Sequence, residues 1–321
     1  MPKPLMVRAE LLVTDLTGKT YVITGANSGI GWVTARQLAS QGATVVMACR
    51  RIREGEQAAD AIRAKHPMAK VEVLALDLGD LASVRSFAKQ FLDHYTKLHG
   101  LVNNAGVMNT PFGRTKDGFE MQFGINHLGH FLLTELLIDA LKAGAPSRVV
   151  NVSSSYHEQA MGRKAVIHFE DLNYELRPYD GWEAYAQSKL ANVLHAQQLA
   201  RRLAGSGVIS ASVHPGWVRT NLFKNTIPLW LHNYMLLPLF RMMGMIEPWE
   251  GTQTTLHALL APEIARHSGA FFSQSGGPFK DKPSRQGGWP LRSPNPLAHD
   301  DATAERLWMA SVQLVGLSPR G

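Results

Sequence analysis

A tyrosine and a lysine stand four positions apart in the segment YAQSK, as Tyr185 and Lys189. The surrounding residues have helical periodicity, so this spacing places the phenol and the ammonium on one helix face. A cation about 4 Å from a phenol, at an effective dielectric of about 20, favours the phenolate by roughly 4 kcal/mol, or about three pKa units before desolvation is subtracted. The pair is therefore predicted to act as an acid–base group near neutral pH.

Three hydroxyl groups follow a β-branched run in VVNVSSS, at Ser153, Ser154 and Ser155. Ligands of open α/β sheets bind at the carboxyl ends of the strands, where these serines are expected to lie. A hydroxyl there can polarise a carbonyl group and receive its developing negative charge. A serine cluster after a strand is also a common turn or helix cap, and the residues alone leave open which serine acts.

A glycine-rich turn follows the first strand-like segment, in TYVITGANSGIG. Gly25, Gly29 and Gly31 have the spacing G-x-x-x-G-x-G, which lets bare backbone N–H groups and a helix N-terminus face a pyrophosphate. The next strand ends in Arg50 and Arg51 and carries no acidic residue at its end. Because guanidinium groups bind a phosphate and a carboxylate repels it, we expect NADP(H) rather than NAD(H), unless both arginines only cap the sheet edge.

Two further strand ends carry residues suited to a dinucleotide. Asp77 in LALDL ends the third strand, where its carboxylate can accept a hydrogen bond from the adenine amine. Ala105 and Gly106 in LVNNAG follow the fourth strand, and their small size allows a ring to approach the backbone. Each motif taken alone is also compatible with ordinary turn formation.

Short β-branched segments alternate with longer helical ones along the chain: KTYVITGA, GATVVMACR, KVEVLALDL, LHGLVNNAG, SRVVNVSS and VISASVHPG. This alternation predicts a doubly wound, Rossmann-type α/β fold around a parallel sheet, with GAFFS as its last strand. The parts predicted within a single domain at 1–321 are a Rossmann core (18–275), a small substrate lobe (222–248), an irregular Gly- and Pro-rich loop (276–298) and a terminal helix (300–316) opened by Asp300 or Asp301.

Composition restricts the class of protein. A chain of 321 residues with 45% hydrophobic residues can build a substantial core without disulfides, and its one cysteine, Cys49, is expected to be a buried strand thiol. The net charge is +7, but the basic residues are scattered, so no nucleic-acid partner is expected. Residues 227–246 are apolar but interrupted by prolines and polar residues, so we expect no spanning helix. His127 and His130 have no third ligand at a matching spacing, and no metal site is predicted.

Six motifs stand in the order and spacing typical of the short-chain dehydrogenase/reductase family: TGANSGIG, NNAG, GINHLGH, NVSS, YAQSK and HPGWVRT. The chain resembles this family over about residues 18–275, and longer matches such as FGINHLGHFLLT and SKLANVLHAQQLARRL resemble its retinol dehydrogenase branch. The resemblance implies hydride transfer between a nicotinamide and a substrate carbon. Together with the arginines after the second strand and the apolar residues after HPG, it predicts an NADPH-dependent interconversion of a lipophilic alcohol and its aldehyde or ketone. Tyr185 would give its proton to the carbonyl oxygen on reduction.

The resemblance also implies roles for individual residues. Asn126, Ser154, Tyr185 and Lys189 would form a catalytic tetrad, in which Asn126 links Lys189 to solvent through a water. Asn103 would steady the central sheet, and a threonine after HPG would hold the nicotinamide carboxamide. The expected cofactor-binding residues are Gly25, Asn27, Ser28, Gly29, Ile30, Gly31, Arg50, Arg51, Asp77, Leu78, Asn104, Ala105, Gly106, Tyr185, Lys189, Pro215, Gly216, Val218 and Thr220.

Several interpretations remain open at this point. A light-dependent protochlorophyllide reductase shares VVMACR and the Tyr–Lys pair, but that family typically places a cysteine where this chain has Ala191. A non-catalytic NADP-binding scaffold is disfavoured by the complete tetrad. Apolar residues after HPG, among them Trp217, suit a lipophilic pocket or the core of a lobe, and His157 and His214 suit substrate contact or a structural role.

The expected setting is cytoplasmic. Membrane-bound animal retinol dehydrogenases carry an N-terminal hydrophobic anchor, and residues 1–20 contain no apolar run of that length, so any membrane contact is expected to be peripheral. The resemblance is compatible with a homo-oligomer, a dimer or a tetramer. The interval from Ser154 to Tyr185 is longer than in the commonest members of the family, which predicts an added surface loop.

Overall fold

The computed structural model describes residues 4–219, 244–274, 289 and 292–318. Within these residues the central sheet has seven parallel strands in the order β3-β2-β1-β4-β5-β8-β9. A separate antiparallel hairpin joins β6 to β7. The strands are β1 Thr20–Thr24, β2 Thr44–Cys49, β3 Lys70–Ala75, β4 Gly100–Asn103, β5 Ser147–Val152, β6 Gln159–Ala160, β7 Arg163–Lys164, β8 Val208–His214 and β9 Phe271–Ser273.

Helices connect the strands and cover both faces of the sheet. A π-helical turn, Gly124–Leu128, lies between α4 and α5, and 3-10 turns occur at Ala9–Leu12, Ser155–His157, Pro262–His267 and Pro296–His299. The helices are α1 Gly29–Ser40, α2 Ile52–Lys65, α3 Leu81–His94, α4 Met121–Phe123, α5 Gly129–Ala143, α6 Gly181–Arg202, α7 Pro248–Leu260 and α8 Asp301–Leu314.

Two apolar cores lie on opposite faces of the sheet. Successive strand residues point to opposite faces, so Val22 joins one core while its neighbour Ile23 joins the other. The core containing Val22 packs against α3, α5, α6 and α8, and the core containing Ile23 packs against α1, α2 and α7. Burial on both faces explains why β1 and β2 are largely apolar in sequence.

The fold class predicted from the sequence is confirmed, and each of the seven strand-like segments contains a strand of the parallel sheet. Cys49 is buried at the end of β2, as expected, and burial raises the pKa of its thiol to about 11. Asp300 caps α8, because its carboxylate accepts a hydrogen bond from the backbone N–H of Thr303 (3.0 Å).

The interval between Ser154 and Tyr185 differs from the surface loop expected there. It contains the β6–β7 hairpin, and Ala165, Ile167 and Tyr174 are buried and not exposed to solvent. Ala165 and Ile167 belong to the apolar core that packs against α6, so this part of the interval is built into the fold.

Some predictions concern residues that the structure does not describe. Most of the 222–248 lobe, most of the 276–298 loop and Thr220 lie outside the described residues. The described part of the chain contains no helix with both the length and the apolar character needed to cross a bilayer.

Candidate active site

The carboxyl ends of β1, β2, β4, β5 and β8 surround a cleft of about 650 Å³. The chain crosses between β1 and β4 from one half of the sheet to the other, and this reversal is where open α/β sheets bind ligands. Gly31 and Asn126 lie behind the cleft lining. The predicted site residues that line it are Gly25, Asn27, Ser28, Gly29, Ile30, Arg50, Arg51, Asp77, Leu78, Asn104, Ala105, Gly106, Ser154, Tyr185, Lys189, Pro215, Gly216 and Val218.

The turn between β1 and α1 has the shape that a pyrophosphate requires. Gly25 and Gly29 have φ angles of +64° and +57°, in the left-handed region that favours glycine. A Cβ atom at Gly31 would lie 2.6 Å from Asn104 Nδ2, so a side chain there would disrupt the packing of the turn. Ser28 is the N-cap of α1, but its side chain makes no capping hydrogen bond. Ser28 therefore does not compete with an anion for the first-turn N–H groups of α1, and the residues fit a dinucleotide.

Thr24, at the end of β1, fixes the residues that follow β4. Its hydroxyl oxygen accepts hydrogen bonds from the backbone N–H groups of Asn104 and Ala105, both at 2.9 Å. The Asn104 side chain in turn donates to the carbonyl of Thr24 (2.8 Å), and Nε2 of His130 lies 2.8 Å from the Thr24 hydroxyl. Asn103 bridges β4 to β5 through Asn151 Oδ1 (2.9 Å), as the resemblance implied. Sequence reasoning did not identify Thr24 as part of this arrangement.

The two histidines considered as metal ligands point to different partners. His130 contacts Thr24, whereas Nε2 of His127 lies 2.8 Å from Ser311 Oγ on α8. Burial lowers the pKa of both imidazoles, to about 4 for His130. Among the described residues, no group of three His, Cys, Asp or Glu side chains could hold a metal ion.

Arg50 and Arg51 lie at the end of the cleft next to the carboxyl end of β2. Arg50 and Arg51 are exposed, and Arg51 Nη1 forms an ion pair with Glu54 at 2.9 Å. The other carboxylate oxygen of Glu54 accepts a hydrogen bond from Asn27 Nδ2 (3.2 Å). Asp77 lines the same end, and one of its oxygens accepts from the Gly79 backbone N–H (2.9 Å), so Asp77 also has the turn-forming role that was left open.

At the opposite end, α6 is attached to the end of β5. Lys189 Nζ donates to the Val152 carbonyl (3.0 Å), which also accepts from Asn192 Nδ2 (3.1 Å). Ser153 Oγ donates to the Lys189 carbonyl (2.7 Å). These contacts hold one face of α6, with Tyr185 on it, against the strand that ends in Ser154. Ser153 therefore has a structural role.

Tyr185 is almost completely buried, with 4% of its surface exposed, and it lines the cleft together with Ser154. Burial raises the pKa of the phenol above its ordinary value, the Ser154 side chain lowers it, and the Tyr156 phenol adds a smaller increase. Lys189 Nζ lies 5.6 Å from the centroid of the Tyr185 ring, and burial lowers the pKa of this ammonium to about 8.

The lowered Tyr185 pKa predicted from the sequence is therefore wrong for this structure. The estimate from spacing left desolvation out, and desolvation is the largest effect on a phenol so deeply buried. The predicted pairing on one helix face is nevertheless present, since Tyr185 and Lys189 both line the cleft from α6.

Asn126 lies in the π-helical turn and braces the residues after β4. Its Oδ1 accepts from the Val107 N–H and its Nδ2 donates to the Val107 carbonyl, both at 2.9 Å. Nδ2 also donates to Ser188 Oγ on α6 (2.9 Å). A Cβ atom at Gly106 would lie 3.0 Å from Asn126 Oδ1 and 3.6 Å from Lys189 Nζ, so the two polar groups flank this glycine. The water link between them stays a prediction.

Comparisons with known proteins agree with this geometry. A family model described as short chain dehydrogenase matches residues 19–166. Human retinol dehydrogenase 12 is 46% identical over 305 residues, which cover 94% of this chain and 88% of that protein. This chain belongs to the short-chain dehydrogenase/reductase family, in its retinol dehydrogenase-like branch. It is thus an oxidoreductase of the kind that acts on CH–OH groups with a nicotinamide cofactor.

Two further comparisons extend over the same length. Human retinol dehydrogenase 11 is 44% identical over 307 residues, covering 94% of this chain and 87% of that protein. The crystal structure of an uncharacterized protein from Mycobacterium paratuberculosis has a TM-score of 0.71 and 38% identity, and the match covers 95% of this chain and 96% of that one. The short-chain dehydrogenase/reductase fold therefore extends beyond the segment that the family model matches.

A segment from the C-terminal part of the chain supports the Ser154 loop. Nδ1 of His157 lies 2.5 Å from the Ser154 carbonyl and its Nε2 lies 2.7 Å from Ser293 Oγ. Asn295 Nδ2 donates to the carbonyls of His157 (2.8 Å) and Ala165 (3.0 Å). His157 is buried and does not line the cleft, so it has the structural role, whereas His214 lines the cleft.

The remaining part of the cleft is an apolar wall whose side chains are not among the predicted site residues, although Ile125 and Trp217 stand within the GINHLGH and HPGWVRT motifs. Trp217, considered from the sequence as a pocket residue, belongs to it. The position of the others next to motif residues, such as Tyr156 two residues after Ser154, is the signal that could have identified them. The side chains of this wall are Val107, Met108, Ile125, Tyr156, Trp182 and Trp217.

Proposed function

We propose that this protein is an NADP(H)-dependent oxidoreductase that interconverts a lipophilic alcohol and its aldehyde or ketone, acting as a carbonyl reductase with NADPH. The observation that carries the proposal is the buried Tyr185 phenol, which lines a cleft suited to a dinucleotide together with Ser154 and Lys189. Because burial raises the pKa of the phenol, Tyr185 keeps its proton at neutral pH, as a proton donor must.

Ser154, Tyr185 and Lys189 have different roles in the reaction at the substrate oxygen. Tyr185 and Ser154 both donate hydrogen bonds to the carbonyl oxygen, which polarises the carbonyl and stabilises its developing negative charge. Tyr185 then transfers its proton to that oxygen. When bound, the cofactor supplies the hydride that reduces the carbonyl carbon. Lys189, whose pKa of about 8 keeps it mostly protonated at pH 7, favours the phenolate that remains.

The cofactor would lie across the carboxyl ends of the strands. The N-terminus of α1 would bind the pyrophosphate, and Arg50 and Arg51 at the end of β2 would bind the 2′-phosphate that distinguishes NADP from NAD. Asp77 would bind the adenine end. Pro215, Gly216 and Val218 would hold the nicotinamide end, together with Thr220, which lies outside the described residues.

The apolar wall beside Tyr185 favours a lipophilic substrate, because the transfer of an apolar ligand from water to an apolar surface is favourable. The relatives of this chain that are named retinol dehydrogenases support a retinoid or a substrate of similar polarity. A cytoplasmic location, peripheral contact with a membrane, and a dimer or tetramer remain predictions.

Steady-state kinetics test this function. The full chain is assayed with NADPH and with NADH against retinal, a long-chain aldehyde and a steroid ketone, and in the reverse direction with the matching alcohols. We expect turnover with NADPH to exceed turnover with NADH by about tenfold or more, since a charged phosphate contact is worth roughly 1.5–3 kcal/mol. No turnover in either direction would refute the activity, and a preference for NADH would refute the choice of cofactor.

A further inference from the structure

Two aromatic side chains stack against each other on the substrate side of the cleft. Tyr156 lies in the 3-10 turn after Ser154, and Trp182 lies in the first turn of α6. Their ring centroids are 5.1 Å apart and their planes are inclined by 15°. Both residues line the cleft and both are half-buried, so part of the stack is exposed to whatever the cleft binds.

Hydrogen bonds fix the backbone that carries the two rings. The Tyr156 N–H donates to Ser154 Oγ (3.3 Å), and the Trp182 N–H donates to the Asp180 carboxylate that caps α6 (2.9 Å). A Cβ atom at Gly181 would lie 2.5 Å from Asn109 Oδ1, so α6 begins in close contact with the segment after β4. Because the rings also restrict each other by stacking, a ligand that packs on them loses little additional side-chain entropy.

The stack begins directly beside the reacting phenol. The Tyr156 ring meets the Tyr185 ring edge-on, with centroids 5.7 Å apart and planes inclined by 66°. A substrate whose carbonyl oxygen reaches Tyr185 and Ser154 must place the group attached to its carbonyl carbon close to Tyr156. The part of the substrate next to the reacting bond is therefore the part that meets the aromatic surface.

We propose that the Tyr156–Trp182 stack is the specificity-determining wall of the site, an inference that rests on the proposed function. The stack selects carbonyl compounds in which the group attached to the carbonyl carbon is flat and conjugated. An aromatic or polyene group can lie in contact with an aromatic face over its whole area, whereas a puckered saturated group touches it at few atoms. Contacts between aromatic groups change an equilibrium by a factor of about 2 to 10 beyond the area they bury.

A matched pair of aldehydes tests the wall. Benzaldehyde and cyclohexanecarbaldehyde carry a six-membered ring of similar size on the carbonyl carbon, one planar and one puckered. The ratio of their kcat/KM values with NADPH is measured for the wild type and for four variants. We expect Tyr156→Leu and Trp182→Leu, which keep apolar bulk but lose the flat face, to lower the ratio about fivefold. Tyr156→Phe and Trp182→Phe keep a ring and are expected to stay within twofold of the wild type.

The control uses a second stacked pair, also among the residues that the structure describes. Tyr95 stacks on Phe91 with centroids 5.1 Å apart, and neither residue lines the cleft, so Tyr95→Leu is expected to leave the ratio unchanged. NADPH fluorescence in each variant shows that the cofactor cleft is intact. If the wild type reduces both aldehydes and the Leu variants keep its ratio, the wall assignment is overturned while the activity stands. If the wild type reduces neither, the proposed function fails and the wall assignment fails with it.

Discussion

The two ends of the cleft are built in different ways. At the reacting end, Lys189 and Asn126 are buried and hydrogen-bonded to the backbone of neighbouring segments. At the phosphate end, Arg50 and Arg51 are exposed, and the ion pair between Arg51 and Glu54 lies on the surface, where such pairs contribute little stability. The reacting end is therefore part of the core, whereas the phosphate end is attached to it. Substitutions at the reacting end should therefore change both catalysis and stability, whereas substitutions at the phosphate end should change only the choice of cofactor.

The largest effect is expected from Tyr185→Phe. This variant keeps the buried ring and removes the proton, so kcat for reduction should fall by about 10²–10⁴, the usual contribution of a general acid. The dissociation constant for NADPH should change little, because the contacts of the phosphate end remain. Stopped-flow measurement of a single turnover, with NADPH titration by fluorescence, checks both expectations. A variant that retained the wild-type rate would overturn the assignment of Tyr185 as proton donor.

A second substitution at the reacting end, Lys189→Met, should change catalysis and stability in opposite directions. Loss of the cation next to Tyr185 is expected to lower kcat about 100-fold, within the range for residues that tune an acid–base group. Stability should instead rise. Burial lowers the pKa of Lys189 from 10.5 to about 8, so at pH 7 the folded protein carries a buried charge that the unfolded chain keeps in water.

The sign and the pH window of this effect follow from linkage. Below about pH 8 both states hold the proton and the cost of the buried charge is fully present, on the order of 3 kcal/mol. Between about pH 8 and 10.5 the unfolded state binds more protons, so the stability of the wild type rises with pH. The Val152 carbonyl keeps Asn192 as a donor in the variant. Urea unfolding should therefore show Lys189→Met as the more stable protein at pH 7, with the gap narrowing towards about pH 9.5. A variant that is less stable at pH 7 would contradict this account.

Features with a local signal could be predicted from the sequence. Strands β1 and β2 are largely apolar because they are buried on both faces, and Gly25 and Gly29 follow a strand because the turn needs positive φ angles. The position of the arginines at the end of β2 could also be predicted from the sequence, while their contact with a phosphate stays a prediction. Most predicted cleft residues lie in such motifs, and the structure brings them to one edge of the sheet.

The rest depends on contacts between distant parts of the chain. Thr24 meets Asn104, and Ser293 meets His157, only because the fold brings together segments that are far apart in sequence. Such a contact leaves no periodic pattern in the sequence from which it could be predicted. The Tyr185 pKa failed as a prediction for a related reason, since spacing along a helix gives the distance to Lys189 but not the depth of burial.

At the phosphate end, the double variant Arg50→Ala/Arg51→Ala should raise KM for NADPH about tenfold, because two charged contacts with a phosphate are lost at an exposed site. KM for NADH and the melting temperature should stay within error, since both side chains are exposed. Arg53→Ala is the matched control: this arginine is also exposed and close in sequence but does not line the cleft. Equal losses with both cofactors would show that the arginines do not recognise the extra phosphate.

The smallest expected effect is at Ser293, and it tests how far the reacting end extends into the C-terminal part of the chain. Because a carbonyl only accepts, Nδ1 of His157 donates to the Ser154 carbonyl, and Nε2 lies 2.7 Å from Ser293 Oγ. Ser293→Ala removes this contact and the acceptor of the Asn295 N–H, at a cost of about 1–3 kcal/mol in stability. We expect kcat to fall about threefold with KM for NADPH unchanged, since a small displacement of Ser154 weakens its contact with the substrate oxygen.

The fold contains a matched control for this substitution. Ser311 Oγ lies 2.8 Å from Nε2 of the buried His127, so Ser311→Ala also removes a serine hydroxyl from a buried imidazole, but one that does not contact Ser154. Both variants should lose similar stability, measured by urea unfolding, and only Ser293→Ala should lose kcat. If the two variants lose kcat equally, the effect is general destabilisation. If neither does, Ser154 is held without His157, and the reacting end stops at α6 and β5.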